Sequence, residues 1–281
     1  MSKTPYQKIK NTLSEEIPSE LLDNIPNKWE KIGDILIIVL PPVLENYKLI
    51  ISEKYAEFLN CKTVLNDMGG ISGELREPQV EVIFGDTETV TIHRENGIKY
   101  RLDPQKIMFS SGNMDERIRM SNISNGSEIV VDLFAGIGYF TLPIAVYSKP
   151  KMIFACEKNE IAYDFLCENV VLNHVTDNVK TFKGDNRDVA PQSIADRVIM
   201  GYIGDTHSFL PTALRCLKDC KGLIHFHEKY PDKIVPDKPL KQIQKIAFEY
   251  DRSATIINTK KVKSYAPGIS HFVFDIRFDD K

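Results

Sequence analysis

The chain has 281 residues, 36 basic and 39 acidic side chains, and a hydrophobic content of 42%. That length suits one large domain plus a smaller one, and the composition excludes a disordered, collagen-like or low-complexity chain. No apolar run reaches the ~18 residues of a membrane span, the N-terminus lacks the apolar core of a secretory signal, and five cysteines without a C-x-x-C pair predict reduced thiols in a cytoplasm.

Residues 1–28 are polar and carry Pro5, Pro18 and Pro26, which predicts a loosely held arm with one short helix near residues 20–24. The apolar run 32–40 predicts a strand stopped by Pro41-Pro42. Residues 47–60 have helical spacing, with Tyr47, Ile50, Ile51, Tyr55, Phe58 and Leu59 on one side. Short strands are expected at 63–65, 80–84, 89–93 and 98–102, with Glu95-Asn96-Gly97 as a hairpin turn. Residues 29–103 thus form a small α+β domain and residues 104–281 a second one.

From residue 129 strands and helices alternate. Strands are expected at 129–134, 152–157, 179–184, 196–201 and 223–228, and helices at 138–148, 159–172, 207–218 and 239–250. Such alternation means right-handed βαβ units around a parallel sheet. Residues 254–263 and 270–278 then read as two strands joined at Pro267-Gly268, so the sheet ends in an antiparallel hairpin. The fold class is α/β.

The sharpest local pattern is VDLFAGIGYFT at residues 131–141: an apolar strand, a glycine turn, then a helix. Gly136 and Gly138 let a ligand approach the backbone closely. A carboxylate at Asp132 repels phosphates and attracts an ammonium group. Glu157 ends the second strand, 19 residues after Gly138, where an acid accepts both hydroxyls of an unphosphorylated ribose. Asp185 and Asn186 follow the third strand and suit an adenine edge. A nucleoside with an amino-acid end and no phosphate describes S-adenosyl-L-methionine. Each residue also has a plainer use: a tight turn at Gly136, helix caps at Asp132 and Glu157, and an Asx turn at Asp185.

Several segments together narrow the family: DLFAGIGYFTLP (132–143), FSSGNMDERIR (109–119), RENG (94–97), GDNR (184–187), ADRVIMGY (195–202) and KSYAPG (263–268). They resemble the archaeal tRNA wyosine-derivative α-amino-α-carboxypropyltransferases, across residues 29–278. The resemblance implies a class I methyltransferase-like, Rossmann-like fold with a mixed seven-stranded sheet. It implies S-adenosyl-L-methionine as cofactor and tRNA(Phe) as partner, modified at the 4-demethylwyosine base 3′ of the anticodon. By analogy Ser110 and Arg117 line the methionine end, Glu157 holds the ribose, and Asp185 with Asn186 holds the adenine.

The sulfonium activates three carbons, so orientation of the methionine end chooses between aminocarboxypropyl and methyl transfer. Similar tRNA guanine-N1 methyltransferases carry an Asn-Pro type turn after the fourth strand. This chain has Met200-Gly201-Tyr202-Ile203-Gly204 there, which argues against methylation. A catalytically silent binding module is disfavoured by the Asp132, Glu157 and Asp185 set. No residue is named as catalytic base. His225 and His227 alternate on one strand but do not make a metal site by themselves. Residues 229–263 hold 9 basic against 4 acidic residues, and Lys260, Lys261, Lys263 and Tyr265 suit a rim for single-stranded RNA. The sequence leaves the oligomeric state open, with a monomer the simpler expectation.

Overall fold

The computed structural model describes residues 3–73 and 75–281. The chain divides into two units, Met1–Arg94 with Lys99–Ser111, and Glu95–Ile98 with Gly112–Lys281.

In the smaller unit, helix α1 (Pro5–Leu13) opens with a capping box. Thr4 Oγ1 accepts from the Gln7 amide at 3.3 Å, and Gln7 Oε1 accepts from the Thr4 amide at 2.9 Å. Ile9 and Leu13 are wholly buried, with Ile17 and Ile25 nearly so. The expected loose arm is therefore part of the core. Ile9, Leu13 and Ile17 recur at every fourth position, a narrow apolar stripe that the polar majority of the segment conceals. Each fully buried branched side chain there contributes about 1.5–3 kcal/mol.

The single strand expected at 32–40 is instead a hairpin of β1 (Trp29–Ile32) and β2 (Ile35–Ile38), in antiparallel register with Ile32 opposite Ile35. Gly33 turns the chain with φ +59°, and a Cβ there would lie 2.1 Å from Thr91 Oγ1. Helix α2 (Lys48–Leu59) carries the crossover to β3 (Thr63–Ser72), which runs parallel to β2, and β4 (Glu77–Gly85) follows antiparallel. The expected strand at 63–65 is the first three residues of β3, and that at 80–84 lies inside β4. Strands β5 (Thr91–Glu95) and β6 (Ile98–Leu102) form a separate ribbon, turned at Asn96 and Gly97 with φ +46° and +75°. The unit extends past the expected boundary at 103 to Ser111, because Phe109 packs edge-on against His93 (4.8 Å) and Tyr100 (5.3 Å).

The larger unit is built on strands β7 (Ile129–Asp132), β8 (Met152–Glu157), β9 (Val179–Lys183), β10 (Arg197–Met200), β11 (Gly222–Pro231), β12 (Arg252–Ala266) and β13 (Ile269–Asp280). Their order is β12-β13-β11-β10-β7-β8-β9. Strands β7 to β11 pair parallel, while β13 pairs antiparallel with both β11 and β12. From β7 the chain builds outward through β8 to β9, then returns to the other side of β7 as β10. That reversal leaves a crevice beyond the C-terminal end of β7, where open α/β sheets hold ligands.

Helices α3 (Met114–Met120), α4 (Thr141–Pro143), α5 (Glu160–Leu172), α6 (Asn186–Val189), α7 (Leu210–Cys216) and α8 (Asp237–Glu249) complete the unit. The helix expected over 138–148 is short and widens into a π turn at Ile144–Ser148. One core packs Val131, Val198, Leu210, Leu214, Ile224, Phe226, Ile243 and Phe274 between the sheet and α7 and α8. No helix among the described residues is long and apolar enough to cross a membrane.

Candidate functional site

Strands β7, β8 and β9 end side by side at Asp132, Glu157 and Lys183, and each is followed by a turn into a helix. Asp132 is fully enclosed. Its Oδ2 accepts from the Thr141 hydroxyl at 2.8 Å and its Oδ1 from the Phe134 amide at 3.2 Å. Burial pushes the carboxyl up to about 6, against the pull of those bonds. Asp132 thus braces the glycine turn onto α4.

Gly136 has φ +57°, and a Cβ there would strike the Tyr139 ring at 2.4 Å. The bare backbone lets that ring fold over the turn. The Gly136 amide donates to Glu157 Oε2 at 2.7 Å, and the Asn159 amide donates to Glu157 Oε1 at 2.7 Å. Burial raises the Glu157 carboxyl, and the amides of Asn159 and Gly136 oppose it. The Lys158 amide also bonds to this carboxylate; since an ionised carboxylate has about four acceptor positions, capacity remains for a ligand hydroxyl. Asn159 in turn caps α5, accepting from the amides of Ile161 and Ala162.

The Gly184 amide bonds to the Glu157 carbonyl at 2.9 Å, which sets the next two residues beside that carboxylate. Arg187 forks onto Asp185 at 2.8 and 2.6 Å and holds its carboxyl well below the usual range. Lys158 lies 3.4 Å from the same group. Asn186 is buried; its Nδ2 donates to the Leu133 carbonyl at 2.9 Å, while its Oδ1 has no partner among the described residues. An orphaned buried acceptor asks for a donor, and an exocyclic amine fits it. With Glu157 offering acceptors to a diol, these residues suit an adenine nucleoside.

The structure therefore gathers Asp132, Gly136, Glu157, Asp185 and Asn186 at one crevice. Arg117, on α3, is forked onto Glu95 at 2.5 Å through two bonds, both side chains 3% exposed. Ser110 belongs to the smaller unit and is half-buried.

Sequence reasoning missed a second set of charges. Arg119 forks onto Glu116 (2.6 Å) and onto Asp275 (2.8 Å). His225 Nδ1 donates to Asp275 Oδ1 at 2.6 Å, since Arg197 donates to His225 Nε2 at 2.7 Å and so fixes the tautomer. Arg197 also pairs with Glu128 at 2.9 Å. Lys260, expected on the RNA rim, turns to Glu116 at 3.1 Å, and Lys261 pairs with Asp232 at 2.9 Å. His227 is buried, and its basicity is pushed down to about 3 by that burial and by Arg119. The alternation of His225 and His227 along β11 was the visible signal; the partners on α3 and β13 lie 50 or more residues away from at least one histidine and left none. Among the described residues no group of three or more His, Cys, Asp or Glu is placed to hold a metal.

Two family descriptions match the chain: the TRM5/TYW2 methyltransferase domain over residues 91–256 and the TYW2 N-terminal domain over residues 9–89. A tRNA(Phe) (4-demethylwyosine(37)-C(7)) aminocarboxypropyltransferase of Pyrococcus horikoshii is 47% identical over 96% of this chain and 96% of its own. The crystal structure of P. horikoshii TYW2 in complex with MeSAdo superposes with a TM-score of 0.88, at 43% identity over 98% of this chain and all of that one. The structure of M. jannaschii TYW2 in complex with AdoMet gives 0.76, at 40% identity over 90% of this chain and all of that one.

Proposed function

This chain belongs to the family of the TRM5/TYW2 methyltransferase domain, and from that premise we propose that it is a tRNA(Phe) aminocarboxypropyltransferase. It moves the α-amino-α-carboxypropyl group of S-adenosyl-L-methionine to the 4-demethylwyosine base 3′ of the anticodon and releases 5′-methylthioadenosine. The observation that carries the reading is the end-to-end likeness, 47% identical over 96% of both chains, to a relative of that name. When bound, the cofactor supplies a sulfonium-activated γ-carbon. The chain's own part is to bind and orient. Glu157 accepts the ribose hydroxyls, Asn186 Oδ1 accepts from the adenine amine, and Asp185 fixes the turn that presents Asn186. Ser110 and Arg117 are assigned to the methionine end.

For the RNA, Lys229 lies 5.1 Å from the centre of the Tyr265 ring, and Tyr265 is 54% exposed beside the Pro267-Gly268 turn. An exposed aromatic with an adjacent cation supports stacking of an unpaired base near a phosphate.

The test is a double-label assay with tRNA(Phe) bearing 4-demethylwyosine. Label on the cofactor carboxyl enters the RNA, and label on the cofactor methyl stays with the released nucleoside. Methyl label in the RNA, with S-adenosylhomocysteine accumulating, would make the enzyme a methyltransferase.

A further inference from the structure

The segment after β10 closes over the glycine turn and has an unusual support. Gly201 lies against Phe140, so that a Cβ would come within 2.7 Å of the ring. Tyr202 stacks on Phe134, centroids 5.1 Å apart and planes 18° from parallel. Phe134 is itself part of the turn at the end of β7. The backbone then passes through Gly204 at φ +134° and Asp205 at φ +57° before the 3-10 turn Thr206–Phe209. A left-handed aspartate needs holding by its surroundings.

The holding group comes from the neighbouring strand. Glu228, near the end of β11, is 5% exposed. Its Oε2 accepts from the Thr206 amide at 2.7 Å and its Oε1 from the Lys229 amide at 2.9 Å. Among the described residues no ion pair neutralises it. A buried carboxylate kept on two amides alone is expensive to retain. Thr206 Oγ1 passes the constraint on, donating to the Tyr202 carbonyl at 2.9 Å. Glu228, Thr206, Tyr202 and Phe134 make one connected series from β11 to the glycine turn.

We propose that Glu228 is a positioning residue: through Thr206 it fixes the Tyr202 ring as the wall of the cofactor crevice. The inference rests on the cofactor reading above. Calorimetry with S-adenosyl-L-methionine and amide hydrogen exchange test it without requiring turnover. Glu228→Ala weakens binding about tenfold and loses protection at the Thr206 amide, while Glu228→Gln, which keeps an acceptor oxygen, stays within about threefold of wild type. Tyr202→Ala matches Glu228→Ala, and the double variant is no weaker than either. Should Glu228→Ala fail to fold, Thr206→Val, which removes only the hydroxyl bridge, gives about a threefold loss. Wild-type affinity in a folded Glu228→Ala or Thr206→Val protein overturns the proposal. So do equal losses for the alanine and glutamine variants, or multiplied losses in the double. If the wild type binds the cofactor but transfers nothing to tRNA, the functional reading fails, and these binding measurements still judge Glu228.

Discussion

Two of the places where the larger unit buries charge treat it differently. At the ends of β7 and β8, Asp132 and Glu157 are held by amides and a hydroxyl, with no forked cation among the described residues, and Asn186 keeps an orphaned oxygen. Across β11 and β13, Glu116, Asp275 and Glu128 are met by Arg119, Arg197 and Lys260, with His225 neutral between them. The second region is electrically closed and serves to fasten α3 to the sheet. The first is left short of donors, which is the state of a region that completes itself with a ligand.

That contrast breaks most sharply at Arg119. Arg119→Ala removes the guanidinium that joins the buried Glu116 and Asp275 carboxylates, leaving them to Lys260, His225 and Asn258, and lowers stability by about 3–5 kcal/mol in urea unfolding. Arg119→Lys recovers only part, because an ammonium cannot fork onto both. A loss below about 1 kcal/mol would show that water already reaches the cluster.

A second test uses pH. Asp132 titrates near 6 in the fold, above its usual value of about 3.9. Its raised value means that stability from this group is full below the unfolded pKa and is lost as pH rises through 6. Asp132→Asn removes that loss. Relative to wild type, the variant therefore gains about 3 kcal/mol between pH 3.5 and pH 7. A difference that does not change with pH would mean that the carboxyl is solvated.

The smallest effect belongs to Glu157. Glu157→Ala removes charge-assisted bonds worth about 1.5–3 kcal/mol, so affinity for S-adenosyl-L-methionine falls about 10- to 100-fold while the fold survives. Unchanged binding in a folded variant would remove Glu157 from the site and erase the distinction between the regions.

How far such features are legible depends on sequence separation. The glycine turn, the βαβ rhythm and the closing hairpin are local, so the parallel sheet, its antiparallel end and the crevice at the strand C-termini could be read from the chain, whereas the strand order could not. Gly136, Glu157, Asp185 and Asn186 could be placed there because each follows a strand directly. The enclosure of Asp132 could not, because it depends on Thr141 folding back from the next helix. Gly33-Asp34 near the start of the apolar run is the hairpin turn itself, a polar break too short to stand out against the hydrophobic residues that follow it. Arg117 and Glu95, 22 residues apart, and Thr206 and Glu228, also 22 apart, form pairs by tertiary packing alone.

Strand β12 lies at one border of the seven-stranded sheet and is 15 residues long. A flat ribbon of that length would offer an unbroken row of amides and carbonyls to a neighbouring molecule. Its register against β13 instead slips three times, between Ile256 and Asn258, Lys261 and Lys263, and Ser264 and Ala266. Each slip bends the border and spoils the repeat that a second strand would need. The irregularities therefore act as protection against polymerisation, so that regularising β12 would turn this border into a template for edge-to-edge pairing.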